Sequence, residues 1–302
     1  MVSSLRAAID ALTKHDGDFW RRAAAFGAQR GPGWFLRYSP PLIGLAWWAA
    51  LPSARRAVRE NLLRVRGEGG AVRDTVDTAR TFTTFAGCLA ETLSNGSPNQ
   101  GAVHARVDGP LHLYRAVREG KGIILATSHT GGWEATGQLL GRELGLEVMV
   151  VMRRERDGAA RELQDRAREA SGLKVAHVGD DPLEALPLLR HLKGGGAVAM
   201  QLDRVPEGMR ARDVTIFGAR ARVPEGPLRL AQLSGAPVVP VFCARLGFRR
   251  YLVHAEEGLH VDRRAPDAEL DAHAQRLADA MARFVAAHPT QWMKFEPLSA
   301  GP

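Results

Sequence analysis

The 302-residue sequence predicts an α/β protein: a mostly parallel central sheet flanked by helices, preceded by an N-terminal helical, membrane-associating region. Three observations point there. Beyond residue 101, short apolar runs alternate with longer amphipathic stretches, the texture of repeated strand–helix units. Before it, apolar residues recur at helical spacing. Between the two, SNGSPNQG (residues 94–101) is a cluster of turn formers. The expected division is therefore a helical region, 1–100, and an α/β core, 101–302.

The helical region opens with MVSSLRAAIDALTKHDGDFWRRAAAF, which carries acids and bases and lacks the apolar stretch of a secretory signal. A cytoplasmic location is the expectation. The longest uncharged apolar run, Leu42 to Leu51, is half the ~20 residues a spanning helix needs. Trp20, Trp34, Trp47 and Trp48 fall early in the chain, and Arg55, Arg56, Arg59, Arg64 and Arg66 follow. Tryptophan favours the headgroup level of a bilayer and arginine pairs with anionic lipid. Residues ~17–66 thus read as a segment lying on the inner surface of a membrane without crossing it. The alternative is a buried Trp-rich helix followed by a solvated basic one. In AVRENLLRV, Val58, Leu62 and Val65 share a helical face, and Val76, Phe82, Phe85 and Leu89 continue the pattern.

In the core, GIILATS (122–128) reads as a buried strand and WEATGQLLGREL as the helix after it. LEVMVVM (146–152) is the next strand, with DGAARELQDRAREASG its helix. LKVAHVG (173–179) is a short strand, and Asp181-Pro182 opens a helix with the acid at its cap. GAVAMQLD (196–203), APVVPVFCAR (236–245) and YLVHAE (251–256) complete the strands. VPEGPLRLAQLSG and DAELDAHAQRLADAMARFVAAH complete the helices. Ligands of such sheets bind outside the carboxyl ends of the strands.

Composition narrows the function. Hydrophobic residues make up 45%, which excludes a disordered tail. Lys and Arg total 41 against 33 Asp and Glu, a net charge of +8, pointing to phosphates, acidic carriers or an anionic membrane face. The basic residues are dispersed and form no recognition motif, so nucleic acid is not an expected partner. Two cysteines, Cys88 and Cys243, cannot build a disulfide framework or a Cys-based zinc site.

The informative segment is Ser128-His129-Thr130-Gly131-Gly132-Trp133-Glu134, where a buried strand gives way to a helix. Across the Gly-Gly turn, His129 at the strand end and Glu134 in the first helical turn can meet. A carboxylate on one imidazole nitrogen fixes the tautomer and makes the other nitrogen a better base. The helix N-terminus supplies backbone N–H groups for an oxyanion or a phosphate. A satisfied structural histidine is the competing reading. No G-x-S-x-G elbow, Walker A or G-x-G-x-x-G loop is present, and no set of metal ligands appears at familiar spacing. Arg153, Arg154 and Arg156 follow the LEVMVVM strand at the same edge, as candidate phosphate partners or as a solvated turn. Asp203 ends AVAMQLD, to help His129, bind an acceptor or cap a loop. Glu225 in VPEGP is a further candidate, or a first-turn helix acid. Trp133 is read as packing or a groove wall. His177, His191, His254 and His260 are assigned no chemistry.

With its H-x4-E after a buried strand, SHTGGWE resembles the bacterial lipid A biosynthesis (lauroyl/myristoyl) acyltransferase family, within the lysophospholipid acyltransferase superfamily. The family includes mycobacterial mannoside acyltransferases. LPSARRAVRENLLRV resembles its Arg-rich helix with an Asn-Leu pair, AVAMQLDRVPEG its Asp-containing loop, VTIFGARARVPEGPLRLAQLSGAPVVPVF its Phe-Gly loop and Gly-Pro helix start, and HPTQWMKFEP its closing Pro-x-x-Trp segment. After that Trp the sequence departs, with Met293-Lys294-Phe295-Glu296 in place of the usual aromatic/His/Arg tail. The resemblance implies transfer of an acyl chain from acyl-ACP or acyl-CoA to a hydroxyl or amine of a lipid or glycolipid. His129 would be the general base, Glu134 its orienting acid, and Arg166 or Arg168 a contact to acceptor or donor. It implies no bound cofactor and no metal, only an acyl carrier protein or CoA thioester as co-substrate. It also implies a place at the cytoplasmic face of a bacterial inner membrane. A glycerol-phosphate-type acyltransferase is a neighbouring expectation, which VPEGP echoes although Pro227 and Leu228 stand where Thr and Arg are usual. A non-catalytic lipid- or carrier-binding protein on the same scaffold is the other.

Overall fold

The computed structural model describes residues 26–97, 101–153, 172–179, 182–205 and 208–298. After a helical stretch over residues 26–30, the described chain continues with α1 (Gly33–Ala50), α2 (Pro52–Arg66) and α3 (Ala71–Leu93). The α/β part follows with β1 (His104–Asp108), α4 (Pro110–Arg118), β2 (Ile123–Thr127), α5 (Trp133–Leu144), β3 (Val148–Arg153) and β4 (Lys174–Val178). A 3-10 turn at Pro182–Ala185 leads into α6 (Leu186–Lys193), β5 (Ala197–Gln201), β6 (Ala211–Ile216) and β7 (Ala219–Pro224). The last elements are α7 (Gly226–Ser234), β8 (Val238–Gly247), β9 (Arg250–Ala255), α8 (Asp267–Ala287) and a 3-10 turn at Pro289–Gln291.

Seven strands form one sheet in the order β1-β9-β8-β2-β5-β3-β4. The five from β8 to β4 are mutually parallel; β9 runs against β8, and β1 runs with β9. The expected mostly parallel sheet is therefore present, as are all six expected strands. The helix expected over DGAARELQDRAREASG lies outside the described residues. The expectation did not include β1, α4 or the separate antiparallel hairpin β6–β7.

The alternation of side chains along each strand explains the layers. Ile124, Ala126, Val198, Val238 and Phe242 pack on one face with Leu192, Leu228, Leu277 and Met281 from α6, α7 and α8. Ile123, Leu125, Ala197, Val239 and Val241 pack on the other with Leu113 and Leu140 from α4 and α5. Both faces are covered, so β2 is buried at every residue and reads as an unbroken apolar run.

The N-terminal helices form a smaller layer. Helix α1 lies directly on α3: a side-chain carbon at Gly44 would sit 2.6 Å from the Thr83 Cα. Val58 and Leu62 of α2 pack with Phe82 of α3, Trp47, Trp48 and the distant Phe295. Among the described residues, no helix is long and apolar enough to cross a membrane. Trp34, Tyr38, Leu42 and Leu45, at helical spacing on α1, nonetheless point into solvent. Trp20 lies outside the described residues.

Candidate active site

The sheet register creates the site. Strands β2 and β5 are parallel neighbours, with Thr127 opposite Gln201, and the Leu202 N–H extends the ladder to the Thr127 carbonyl at 2.8 Å. His129 and Asp203 each lie two residues past that last pair, so both emerge at the carboxyl edge of the sheet. The imidazole Nδ1 donates to Asp203 Oδ1 at 2.8 Å, and the His129 backbone N–H lies 3.1 Å from both carboxylate oxygens. The Asp203 side chain is 2% exposed and the His129 side chain 23%. The Trp292 indole N–H donates to Asp203 Oδ2 at 3.0 Å, and the Lys294 ammonium donates to the Asp203 carbonyl at 2.8 Å.

This buried carboxylate stays ionised. Burial alone would raise its pKa, but the His129 charge and hydrogen bond, the Lys294 charge and the Trp292 N–H together hold it far below the usual carboxylate range. Burial in turn lowers the Lys294 pKa, opposed by the charges of Asp203 and Glu296. An ionised Asp203 on Nδ1 fixes the proton there and leaves the lone pair on Nε2.

The turn behind His129 is tightly walled. Gly131 has φ +46°, and a side-chain carbon there would lie 2.4 Å from the Cys243 carbonyl oxygen. At Gly132 it would lie 2.2 Å from the Tyr251 ring. Neither position admits a side chain, which accounts for the double glycine. The Tyr251 hydroxyl donates to Glu91, whose other oxygen accepts from the Arg245 guanidinium at 2.9 and 2.6 Å. Thr130 pairs with Trp292 in an antiparallel bridge, and the Gly131 N–H donates to the Gln291 carbonyl at 3.0 Å. Helix α5 then starts with no side-chain cap.

The sequence-derived candidates separate here. His129 and Asp203 come together. Glu134 sits half-buried in the first turn of α5. The carboxylate on Nδ1 of the imidazole is that of Asp203, one of the roles expected for that residue. Proximity in sequence favoured Glu134, whereas the sheet register favours a residue 74 positions away. Glu225 stands just before α7, 4% exposed. Its carboxylate is held by Arg212 at 3.1 Å and by a shorter second contact, and by Arg229 at 2.8 Å. Arg212 also reaches Asp267 and Asp271, so Glu225 belongs to an ion-pair cluster tying the β6–β7 hairpin to α7 and α8. Arg153 closes β3, with its side chain outside the described residues, as are Arg154, Arg156, Arg166 and Arg168. Trp292, Lys294 and Tyr251 were not singled out for the site. Trp292 and Lys294 lie in the closing HPTQWMKFEP segment, whose sequence names no partner for them, and Tyr251 opens the YLVHAE strand. Among the described residues no group of His, Cys, Asp or Glu side chains is arranged to hold a metal ion.

The chain is 30% identical over 202 residues to phosphatidylinositol mannoside acyltransferases of two Mycobacterium tuberculosis strains, CDC 1551 / Oshkosh and H37Rv. Each match covers 64% of this chain and 59% of the relative's length. It is 26% identical over 261 residues to the phosphatidylinositol mannoside acyltransferase of Mycolicibacterium smegmatis, covering 83% of this chain and 82% of that one. The family model for bacterial lipid A biosynthesis acyltransferases matches residues 38–298, a span holding most of α1, all of α2 and α3, the His129–Asp203 pair and the closing Trp292 segment. The chain belongs to the bacterial lipid A biosynthesis acyltransferase family.

Proposed function

We propose that the protein transfers a fatty acyl chain from an acyl-CoA or acyl-ACP thioester to a hydroxyl of a membrane glycolipid, with His129 as general base and Asp203 as its orienting acid. The observation that carries this reading is the His129–Asp203 pair at the carboxyl edge of β2 and β5. Nε2 of His129 takes the proton of the acceptor hydroxyl, and the oxygen attacks the thioester carbonyl carbon. The resulting oxyanion lies near the uncapped first turn of α5, whose backbone N–H groups stabilise it. Collapse breaks the carbon–sulfur bond, and the thiolate leaves with the proton from His129. No covalent acyl-enzyme is formed, so no serine or cysteine nucleophile is needed.

A glycolipid acceptor is supported by the mycobacterial relatives, which are phosphatidylinositol mannoside acyltransferases. The net charge of +8 suits a phosphate-bearing or acidic donor. With Glu225 engaged by Arg212 and Arg229, VPEGP lends little weight to a glycerol-phosphate acceptor. Attachment to the cytoplasmic face of the membrane is peripheral in this reading. The apolar stripe of α1 would enter the headgroup layer, flanked by Arg37, stacked on Tyr38, and Arg55, stacked on Trp48. The test is acyl transfer by purified protein, from palmitoyl-CoA and from palmitoyl-ACP, to a phosphatidylinositol mannoside in mixed micelles. Transfer that disappears in His129→Ala supports the reading. Transfer unchanged in that variant overturns it, and the binding-protein alternative then stands.

A further inference from the structure

Four of the five sequence blocks that carry the family resemblance are far apart in the chain, yet one hydrogen-bonded path joins them. It begins on α2, where Asn61 is 3% exposed on a face shared with the buried Val58 and Leu62. A buried amide on an apolar face is unfavourable for the helix itself unless its polar atoms are matched. Its described hydrogen bonds all go to one segment near the end of the chain. Asn61 Nδ2 donates to the Lys294 carbonyl at 3.0 Å and to the Glu296 carbonyl at 2.8 Å, and Oδ1 accepts from the Leu298 N–H at 2.9 Å.

That segment, 292–298, forms no helix or ladder of its own beyond the single bridge at Trp292, so side chains must hold it. Its other side touches the dyad. The Met293 N–H donates to the His129 carbonyl at 2.7 Å, Trp292 reaches the Asp203 carboxylate, and Lys294 reaches the Asp203 carbonyl. Phe295, between the two, packs edge-on against Phe82 and Phe85 of α3 at 5.0 and 5.1 Å. The segment is thus a strap, clamped by Asn61 at one end and pressing on His129 and Asp203 at the other.

We infer that Asn61 is a positioning residue for the acyl transfer: through strap 292–298 it holds Trp292 and Lys294 against Asp203, and so fixes the orientation of His129. This rests on His129 and Asp203 acting as proposed above. Losing the clamp lets the strap shift without removing any group that touches substrate. The loss should therefore fall on kcat and spare the KM for the donor.

The experiment compares Asn61→Leu, Asn61→Asp, Trp292→Phe and the double variant Asn61→Leu/Trp292→Phe, using palmitoyl-CoA and a phosphatidylinositol mannoside well below the melting temperature. Asn61→Leu preserves the apolar face of α2 and cuts all three bonds; Asn61→Asp keeps only the acceptor for the Leu298 N–H. The expected result is a kcat about tenfold lower with donor KM within about twofold. The double variant should be no slower than the slower single one, because both act along one path. If the Asn61 variants do not fold, Leu298→Pro removes the N–H that Asn61 accepts and leaves α2 intact, with the same expected split. A folded variant with unchanged kcat, or multiplicative losses in the double variant, overturns the inference. His129→Ala run alongside keeps the two readings apart: if it retains activity, the mechanism has failed, and not the strap alone.

Discussion

Two of the histidines set beside carboxylates, His129 and His254, lie at opposite edges of the same sheet. His129 follows β2 and meets Asp203 after β5. His254 lies on β9, which runs the other way, and is the register partner of Asp108 on β1. Their exposures are similar, 23% and 33% of the side chain. The difference is in how the ring nitrogens are used. His254 has an acid on each side: Asp108 3.8 Å from Nδ1 and Glu256 3.7 Å from Nε2. Its ring also stacks on Phe284, and Glu256 is shared with Arg283. Among the described residues, His129 commits only Nδ1, to a buried acid whose second oxygen is occupied by Trp292. Proximity to an acid is therefore not what distinguishes a base from a structural ion pair. A single carboxylate, buried and itself anchored, leaves the far nitrogen for a substrate; two carboxylates leave none.

Substitutions break this contrast in order of size. Removing the base should cost most: His129→Ala should lower acyl transfer about a thousandfold, whereas His254→Ala should leave it within about twofold. Equal losses at the two histidines would erase the distinction. Next, Asp203→Asn keeps the shape but loses the charge and disturbs the tautomer, for a loss of about a hundredfold in kcat. Trp292→Phe, which frees one Asp203 oxygen from its donor, should cost about tenfold, equivalent to about 1.4 kcal/mol, the scale of one hydrogen bond to a charged group. The smallest effect concerns stability at the opposite edge. The hydrogen bond of Glu256 raises the His254 pKa against the opposing effect of burial, so its contribution is full below about 6.5 and fades as pH rises through the higher native value. Glu256 is lowered from 4.5 to about 2, chiefly by His254, so its contribution is present above 4.5 and lost as pH falls toward about 2. His254→Phe should thus lower the melting temperature most between about pH 4.5 and 6.5, and progressively less as pH rises through the raised native value of His254. A melting difference that grows toward alkaline pH would contradict this pairing.

The same contrast shows what a sequence can reveal. The strands of the parallel part were legible because burial on both faces makes them continuous apolar runs, as in GIILATS and AVAMQLD. Strand β1, HARVD, is short, edge-lying and largely exposed, so it leaves no such trace. The β6–β7 hairpin does alternate, with Val214, Ile216, Ala219, Ala221 and Val223 buried between exposed charged and polar residues. Two of those buried positions are alanine, and three arginines and an aspartate stand among them, so the apolar signal is weak. His129 was legible as a polar residue where a buried strand ends, next to two glycines. Asp203 was legible only as one of several options at its strand end, to help His129, bind an acceptor or cap a loop; its place on Nδ1 was not, because β5 reaches β2 only after the chain has passed through β3 and β4, and sheet order is not written in local periodicity. The roles of Asn61 and Trp292 were hidden for the same reason: each acts on a segment distant in sequence.

The most direct test sets the two candidate acids against each other. The kcat of acyl transfer should be measured for Asp203→Asn and Glu134→Gln in the same assay. The expected result is a loss of about a hundredfold for Asp203→Asn and of less than about tenfold for Glu134→Gln. A larger loss at Glu134 than at Asp203 would contradict the assignment of Asp203 as the acid that orients His129.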